Sequence, residues 1–446
     1  MSKKQAIQLS DHFTYGRLLR FTFPSIVMMI FTSIYSVVDG FFVSNFVGKT
    51  SFAAVNLIMP FLMMLGGVGF MFGTGGSALV AKTLGEGDKE KANRLFSLFT
   101  YVTFGVGAAL AVVGLIFMRP VAAFLGAEGQ LLDDCVVYGR IIVAMQPFFM
   151  LQMNFQSFMI TAEKPKLGLA FTVSAGVTNM VLDLLLVGVL RWGLVGAAVA
   201  TGISQMVGGL APVIYFMRPN TSLLRLGKTR WDGKALIKGC TNGFSELLSN
   251  ISMSLVSMLY NGQLIRYAGE NGVAAYGVLM YVSMIFMAIF IGYAVGTAPV
   301  VGFHFGARNR DELKSLLRKS LLLILGTSLA MLALGELLAR PLSTLFVGYD
   351  EELMALTLRG FFIYSFSFLF SGVSIYGSSF FTALNDGVTS AVISFLRTVV
   401  FQVAAVLLLP LFFGIDGVWF SIVVAELASF LFTFFFLKIK RPKFGY

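Results

Sequence analysis

The sequence is short of charged residues, cysteine and histidine. Asp, Glu, Lys and Arg make up 12% of its 446 residues, against about 25% in soluble domains, while 57% of the residues are hydrophobic. The two cysteines and two histidines fall outside any metal-type spacing, which predicts free thiols and no metal site. No nucleophile, base and orienting group occur together, so nothing predicts an enzyme. This balance is typical of a polytopic membrane protein.

The positive charge lies in short stretches between apolar segments. The net charge is +11, but no basic stripe with interleaved aromatics occurs, so nucleic-acid binding is not predicted. Lys and Arg concentrate at one set of segment ends, most densely in residues 218–238, 308–319 and 438–443. Because positive residues are retained on the cytoplasmic side, we expect both termini in the cytoplasm and the protein in the inner (plasma) membrane of a prokaryote. The N-terminus lacks the apolar core of a signal peptide, so we expect the first apolar segment to be retained.

Apolar segments predict twelve transmembrane helices, since about 20 mainly apolar residues cross a bilayer. We place these spans near residues 18–45, 52–82, 94–118, 135–161, 166–190, 194–217, 236–266, 272–303, 316–338, 353–382, 387–413 and 416–437. The even number agrees with two termini on the same side of the membrane.

The two halves of the chain repeat at a constant offset of 221 residues. Pairs at this offset include Gly85 with Gly306, Arg119-Pro120 with Arg340-Pro341, and Gly193-Leu-Val-Gly196 with Gly414-Ile-Asp-Gly417. Each repeat holds six spans, so the repeats share one orientation and a pseudo-twofold axis along the membrane normal relates them. We therefore predict an all-α protein with an N-terminal lobe (1–217), a cytoplasmic linker (218–235) and a C-terminal lobe (236–446). Rocking of two such lobes about a cleft is typical of a transporter.

Polar side chains inside the apolar spans are the candidate functional residues, because an ionisable group is costly in a bilayer. Asn179 and Asp183 lie four residues apart and share one helix face. By helical rise, Asp39, Asp183 and Thr201 all fall in the outer half of the bilayer. Their hard oxygens suit Na⁺, and two neighbouring carboxyl groups favour holding a proton, so both ions remain open. The alternative is that Asp183 only hydrogen-bonds a neighbouring helix or that Asp39 lies at the outer interface.

Five further residues within the spans are candidates for a functional or structural role. Gln152 and Gln156 share a face of the fourth span, which fits either a wet cleft or hydrogen bonds between helices. Glu246 lies in the inner half of the seventh span, as a second protonation or cation site or as a group exposed to a cytoplasmic cavity. Arg397 and Glu426 each lie about 15 Å from one end of their spans. We expect them to form a structural ion pair rather than to contact substrate.

Several stretches resemble the MATE (multidrug and toxic compound extrusion) family of cation-coupled exporters. They are Val37-Val-Asp39-Gly-Phe-Phe-Val-Ser-Asn45, Leu84-Gly-Glu-Gly-Asp-Lys89, Asn179-Met-Val-Leu-Asp183, Gly193-Leu-Val-Gly-Ala-Ala-Val-Ala-Thr201 and Gly414-Ile-Asp-Gly-Val-Trp419. The resemblance implies export by alternating access, coupled to H⁺ or Na⁺. It also implies an ion site formed by Asp39, Asn179, Asp183 and Thr201 and a substrate cavity that includes Gln152 and Gln156, to which we add Tyr35 and Glu246.

The sequence thus predicts a secondary active antiporter that exports organic, cationic and amphipathic compounds in exchange for H⁺ or Na⁺. We expect it to act as a monomer in the lipid bilayer on small-molecule substrates, with no cofactor besides the coupling ion. A flippase for a lipid-linked glycan is the alternative in the same architecture, but it predicts a strongly basic cavity, and few Lys or Arg lie inside the spans. An exporter of one specific metabolite also fits. A channel fits poorly with the duplicated lobes.

Overall fold

In the computed structural model, residues 7–348 and 350–446 are described, and all regular structure among them is helical. The α-helices are α1 (Tyr15–Phe46), α2 (Lys49–Gly85), α3 (Lys89–Phe124), α4 (Gly129–Ala144), α5 (Gln146–Thr161), α6 (Pro165–Leu182), α7 (Gly193–Met217), α8 (Gly233–Gly306), α9 (Arg310–Val347), α10 (Glu351–Tyr364), α11 (Ser367–Ala383), α12 (Gly387–Phe395) and α13 (Gln402–Phe444). Two π-helical segments, Asp183–Val189 and Leu396–Phe401, continue α6 and α12.

Polar residues cap the helices that begin at the basic end of the molecule. The side chain of Thr14 accepts a hydrogen bond from the backbone N–H of Arg17 at the start of α1. Asp88 caps α3 in the same way, and Asn309 caps α9. Each cap satisfies an N–H group that has no partner inside its helix, which defines where the helix starts.

These helices make twelve membrane spans. Among the described residues, eight helical stretches are long and apolar enough to cross a bilayer, and two bent pairs, α4 with α5 and α10 with α11, add one span each. α8 makes two spans, and so does the continuous stretch from α12 to the end of α13, because each contains one residue with non-helical backbone angles, Gly269 or Gly414. The prediction of an all-α membrane protein with twelve spans in two six-span lobes is confirmed.

The turns between spans repeat from one lobe to the other. Gly48 and Gly269, which are 221 residues apart, have φ of 109° and 60°. Gly193 and Gly414, at the same offset, have φ of 57° and 58°. Glycine adopts this left-handed backbone without the steric cost that a Cβ brings. The two lobes therefore share their turn geometry as well as their hydropathy.

Two predicted spans are wrong as continuous helices. The span predicted at 135–161 bends by 56° between α4 and α5, because Pro147 has no N–H to continue the helical ladder. The span predicted at 353–382 bends by 48° between α10 and α11. At that bend the hydroxyl of Ser365 donates to the carboxylate of Glu336 in α9. Hydropathy measures apolar length and does not register either bend.

The two lobes make close contact at the basic end of the molecule. A Cβ added to Gly75 in α2 would lie 1.9 Å from the carbonyl oxygen of Gly239 in α8. A Cβ added to Gly85 would lie 1.9 Å from the carbonyl oxygen of Phe303. Glycine at these positions lets α2 and α8 approach backbone to backbone. A larger residue at either position would force the lobes apart at this end.

Polar contacts around Asn385 reinforce the same interface. Asn385 follows α11 in the C-terminal lobe, and its Nδ2 donates to the carbonyl oxygen of Ala78 in the N-terminal lobe at 3.3 Å. Within its own lobe, Lys238 Nζ donates to the Asn385 carbonyl oxygen at 2.6 Å, and Asn242 Nδ2 donates to Asn385 Oδ1 at 2.7 Å. Asn385 thus links the start of α8 to α2.

Candidate ion-coupling site and substrate cavity

Asp39 lies on α1, in the half of the helix away from the basic end. Its side chain is 9% exposed. Tyr35 precedes it by one helical turn on the same face, and both side chains line one cavity. Pro24, closer to the basic end of α1, interrupts the helical ladder and makes a bend possible there. α1 therefore carries an acid into the membrane on a helix that contains a bending point.

Asn179 and Asp183 lie where α6 passes into its π-helical segment. Asn179 is 1% exposed and Asp183 is 0% exposed. The backbone N–H of Asp183 donates to the carbonyl oxygens of Asn179 and Met180, and the π-helical segment begins at this residue. Such π-helical turns occur frequently at functional sites. The local backbone thus departs from regular helix at the residue with the intramembrane carboxylate.

The fold brings the four predicted ion-site residues together. Asn179 Nδ2 donates to Thr201 Oγ1 on α7 at 3.4 Å. The Asp39 carboxylate interacts with the side chains of Asp183, Asn179 and Thr201. Three helices, α1, α6 and α7, therefore each contribute oxygen-bearing side chains to one cluster.

Several oxygens of this cluster have no hydrogen-bond partner in the described part of the chain. They are Asp39 Oδ1, Asn179 Oδ1 and both carboxylate oxygens of Asp183. Burying such groups without a partner is costly, more so for a charged carboxylate. A proton shared between the two carboxyl groups would remove one charge, and a small cation would be held by the same oxygens. The cluster is chemically suited to take up either ion.

Tyr138 is a neighbour of this cluster that the sequence interpretation did not single out. It lies on α4 and is 1% exposed, and it interacts with Thr201, Asp39 and Asp183. A buried phenol needs a polar partner, so a tyrosine within an apolar span is a sequence signal for a nearby polar group. Tyrosines are common in such spans, and the signal alone did not place this one beside Asp39.

A cavity of about 220 Å³ opens beside the cluster. Its walls come from α1, α2, α4, α5, α6 and α7 of the N-terminal lobe, and they are formed by Tyr35, Asp39, Val43, Phe52, Val55, Asn56, Met59, Leu62, Met63, Ile142, Phe149, Asn179, Thr201, Ser204 and Gln205. Asp39, Asn179 and Thr201 belong to both the cluster and the cavity wall. An ion bound at the cluster would therefore change the charge of the cavity surface.

Gln152 and Gln156 lie elsewhere in the lobe. They line a separate crevice of about 10 Å³ between α5, α6 and α7, which is about the volume needed for one water molecule. A Cβ on Gly208 would lie 2.6 Å from the side-chain carbon of Gln152, so α7 packs directly on this amide. Gln205, four residues after Thr201 on α7, lines the larger cavity instead. The predicted cavity role of Gln152 and Gln156 stays a prediction.

In the C-terminal lobe, Arg397 and Glu426 form a two-pronged ion pair. Arg397 Nε lies 3.1 and 3.0 Å from the two Glu426 oxygens, and Nη2 lies 2.9 Å from Oε1. The Glu426 side chain is 1% exposed and that of Arg397 is 17% exposed. Glu246 is half-buried, and the charge of Arg397 also acts on it. The fold thus gathers one cation and two acids from three different spans.

Twelve spans in two like lobes, with buried acids beside an open cavity, define a polytopic membrane transporter. A family model described as MatE matches residues 24–185 and 247–407, once in each lobe. The chain belongs to the MATE family of transporters and is an integral protein of the plasma membrane.

Individual relatives cover nearly the whole chain. Multidrug export protein MepA of Staphylococcus haemolyticus (strain JCSC1435) is 24% identical over an alignment of 447 positions that covers 99% of this chain and 97% of that protein. Multidrug export protein MepA of Staphylococcus aureus (strain MRSA252) is 23% identical over 433 residues, covering 96% of this chain and 94% of that protein.

Solved structures show the same fold. A MATE protein in complex with MaL6 has a TM-score of 0.93 at 22% identity, covering 99% of this chain and 100% of its own. An outward-facing multidrug resistance MATE family transporter of the MOP superfamily has a TM-score of 0.93 at 22% identity and covers 100% of both chains.

Proposed function

We propose that the protein is a secondary active antiporter that exports organic cations in exchange for H⁺ or Na⁺. The observation that carries the proposal is the cluster of Asp39, Asn179, Asp183 and Thr201 in the wall of the N-lobe cavity. Its unpartnered oxygens suit a proton or Na⁺, and the cavity beside them is large enough for part of a small organic molecule. The two sites share Asp39, so an ion and a cationic substrate compete for one carboxylate.

Competition at a shared acid provides the coupling. While Asp39 is charged, it attracts a cation into the cavity. Binding of H⁺ or Na⁺ at Asp39 and Asp183 removes that attraction and changes the packing of α1, which Pro24 allows to bend. Substrate then leaves as the ion enters, and the ion gradient drives export. A ligand can drive a conformational change only if it interacts differently with the two conformations, and binding at the shared Asp39 carboxylate provides that difference.

The positions of the lobes support alternating access. Close contacts between α2 and α8 shut the basic end, whereas the N-lobe cavity lies in the opposite half. By the distribution of Lys and Arg, we place the basic end and both termini in the cytoplasm. The structure then corresponds to an outward-facing state, and rocking of the lobes about the cleft exposes the cavity to the other side.

The lining of the cavity supports cationic, amphipathic substrates. Among the described residues that form its wall, Asp39 is the one charged side chain, and none is Lys or Arg. Phe52, Phe149 and Tyr35 offer aromatic faces that attract cations, and Met59 and Met63 adapt to different shapes. The wall therefore disfavours the phosphate of a lipid-linked glycan. The MepA relatives are named multidrug export proteins, which agrees with a broad substrate range.

The test is transport by purified protein in proteoliposomes with imposed pH and Na⁺ gradients. Fluorescent organic cations are compared with neutral and anionic analogues of similar size, which also distinguishes a broad exporter from one specific for a single metabolite. We expect gradient-driven accumulation of the cations. Asp39→Asn and Asp183→Asn should each reduce it at least about tenfold, because a single lost charge-assisted interaction is worth about 1.5–3 kcal/mol.

Asp311→Asn is the matched control, since it removes an exposed aspartate at the basic end of α9. It should transport like the wild type. Full gradient-driven export by both Asp39→Asn and Asp183→Asn would refute the assignment of the cluster. A requirement for ATP, or flux without coupling to either gradient, would refute the antiporter itself.

A further inference from the structure

The chain that leads into α1 crosses the basic end of the molecule and contacts both lobes. We call residues 7–14 the strap. The backbone N–H of Leu9 donates to Glu163 Oε1 at 2.6 Å, and that of Phe13 donates to Glu312 Oε1 at 2.9 Å. Glu163 lies in the loop between α5 and α6 of the N-terminal lobe, whereas Glu312 is in the first turn of α9 in the C-terminal lobe. The strap is therefore fastened to both lobes.

Two apolar side chains of the strap are fully buried. Leu9 and Phe13 are both 0% exposed. The ring of Phe13 meets the ring of Phe21 in α1 edge-on at 5.8 Å between centroids, and the imidazole of His304 in α8 edge-on at 6.5 Å. Lifting the strap would expose this apolar surface to water, which is unfavourable. Packing therefore holds the strap in addition to its hydrogen bonds.

The strap also satisfies Glu312, whose side chain is 7% exposed. Glu312 Oε2 lies 2.6 Å from Nδ1 of His12, while Oε1 accepts from the Phe13 N–H. Lys319 Nζ, on the same helix, donates to the carbonyl oxygen of Phe13 at 2.5 Å. Removing these partners from a buried carboxylate is costly. Both polar groups of the Phe13 backbone are thus held by α9.

Glu163, at the other fastening, has an unusual backbone. Its φ is 61°, a left-handed conformation that a residue with a Cβ adopts at a cost. Burial raises the pKa of its carboxyl group, against the opposite effect of the Leu9 N–H that bonds to it. A strained and partly buried glutamate persists where its surroundings favour that arrangement, and the contact with Leu9 is part of those surroundings.

The length of the strap limits how far the lobes can separate while both fastenings hold. Phe13 is four positions after Leu9, so the chain between them reaches about 14 Å when fully extended. Rocking the lobes open at the basic end moves Glu163 away from Glu312. The start of α1 must also leave α9, because Phe13 is followed directly by the cap of α1. At least one fastening must break before opening carries the two anchor points more than about 14 Å apart.

We propose that the strap is a latch that stabilises the state closed at the basic end and that its release from Glu312 accompanies opening to the cytoplasm. The inference rests on the alternating-access part of the proposed function. It assigns a conformational role to the strap contacts with Glu163 and Glu312, which lie at the opposite end of the molecule from the ion cluster.

The test measures the distance between the lobes directly, in the full chain in proteoliposomes. Cys135→Ser and Cys240→Ser remove the two native thiols. Cysteines that carry spin labels then replace Glu90 in α3 and Lys314 in α9, which are both exposed at the basic end. Double electron–electron resonance then gives the populations of short and long distances between the two labels. The populations are measured at several values of pH and Na⁺ concentration.

Glu312→Ala should increase the long-distance population at least about threefold, and Glu163→Ala should increase it in the same direction. Glu312→Gln keeps an oxygen that accepts from the Phe13 N–H, so it should shift the population less than Glu312→Ala. Glu86→Ala is the matched control, because that acid lies at the same end but forms its described ion pair with Lys82 at 3.6 Å. It should leave the distribution unchanged. Folding of each variant is verified by its elution as a single species and by its helical circular dichroism.

The outcomes separate the latch from the function on which it rests. If the wild type samples both distances and the Glu312 and Glu163 variants have the same populations, the latch is wrong and alternating access stands. If Glu86→Ala shifts the distances as much as Glu312→Ala, the effect is not specific to the strap, and the latch is also wrong. If no ion condition and no variant produces a second distance, the alternating-access mechanism fails.

Discussion

Removing either partner of the Arg397–Glu426 ion pair should destabilise the C-terminal lobe strongly, whereas removing both should destabilise it much less than the sum of the two single changes. The carboxylate of Glu426 is 1% exposed and accepts from two nitrogens of the guanidinium at 2.9–3.1 Å. Loss of one partner leaves a buried charge uncompensated, which costs about 3–5 kcal/mol, while apolar replacement of both partners is roughly neutral. The pair therefore predicts a large positive coupling energy.

The two single substitutions should differ in size. Glu426→Leu leaves Arg397 with the nearby acid Glu246, whose interaction with the guanidinium remains. Arg397→Leu leaves both acids without their shared cation. We therefore expect a loss near 3 kcal/mol for Glu426→Leu and near 5 kcal/mol for Arg397→Leu, the two ends of the range of about 3–5 kcal/mol. At roughly 2 °C per kcal/mol, these losses lower Tm by about 6 and 10 °C.

The assay is a double-mutant cycle on the purified protein in detergent, with thermal unfolding followed by intrinsic fluorescence. Arg359 and Asp416 provide the control cycle in the same lobe, because they form an ion pair at 2.5 Å in which the arginine side chain is 66% exposed. Coupling in such exposed pairs is at most about 1 kcal/mol. Equal coupling in the two cycles, or a buried double variant as unstable as the sum of its single variants, would refute the reasoning.

Transport by the Arg397→Leu/Glu426→Leu variant then distinguishes the role of the pair. A structural pair predicts that the stable double variant still exports substrate. Recovery of stability without recovery of export would show instead that one of these charges contacts substrate or ion.

Three further outcomes are expected. Tyr138→Phe removes a hydroxyl beside the ion cluster, so gradient-driven export should fall by about fivefold, equivalent to about 1 kcal/mol, with an unchanged Tm; transport equal to the wild type would exclude Tyr138 from the site. Gln205→Ala should raise the KM for export because its amide lines the cavity, whereas Gln152→Ala, in the separate crevice, should change KM less than twofold in the same assay. Although burial opposes it, hydrogen bonds from the first turn of α12 and the ammonium of Lys440 lower the pKa of the Asp386 carboxyl group below its ordinary 3.8. A lowered pKa means that the charged form stabilises the fold above pH 3.8 and that this stability is lost as pH falls through the lower folded value. Asp386→Ala should therefore lower stability by about 1 kcal/mol at neutral pH. The difference in Tm between this variant and the wild type should shrink as the pH falls below 3.8, and a constant difference would contradict the assignment.

The ion-cluster prediction depended on the regular geometry of helices. A rise of about 1.5 Å per residue placed Asp39, Asp183 and Thr201 in one layer of the membrane before any tertiary contact was known. The helical repeat likewise put Asn179 on the same face as Asp183. Depth and face follow from local geometry, which is why these residues could be chosen from the sequence.

The direction in which each side chain points within the lobe could not be predicted in the same way. Gln152 and Gln156 share a helix face as predicted, but that face turns toward α6 and α7 rather than into the larger cavity. Tyr138 was overlooked because its neighbours Asp39 and Asp183 lie on other helices. The rotation of a helix about its axis depends on how all its neighbours pack, and no single segment contains that information.

The sequence by itself determined that the protein is helical, crosses the membrane twelve times and is built from two like halves. Hydropathy, the turn glycines and the 221-residue offset express local requirements that each segment meets alone. The tertiary structure alone decided that Asp39, Asn179 and Asp183 meet with four buried oxygens that have no hydrogen-bond partner among the described residues, and that the strap joins Glu163 to Glu312. These contacts link residues about 150 or 300 positions apart, and they exist only once the helices have packed in one arrangement among many that satisfy the same hydropathy.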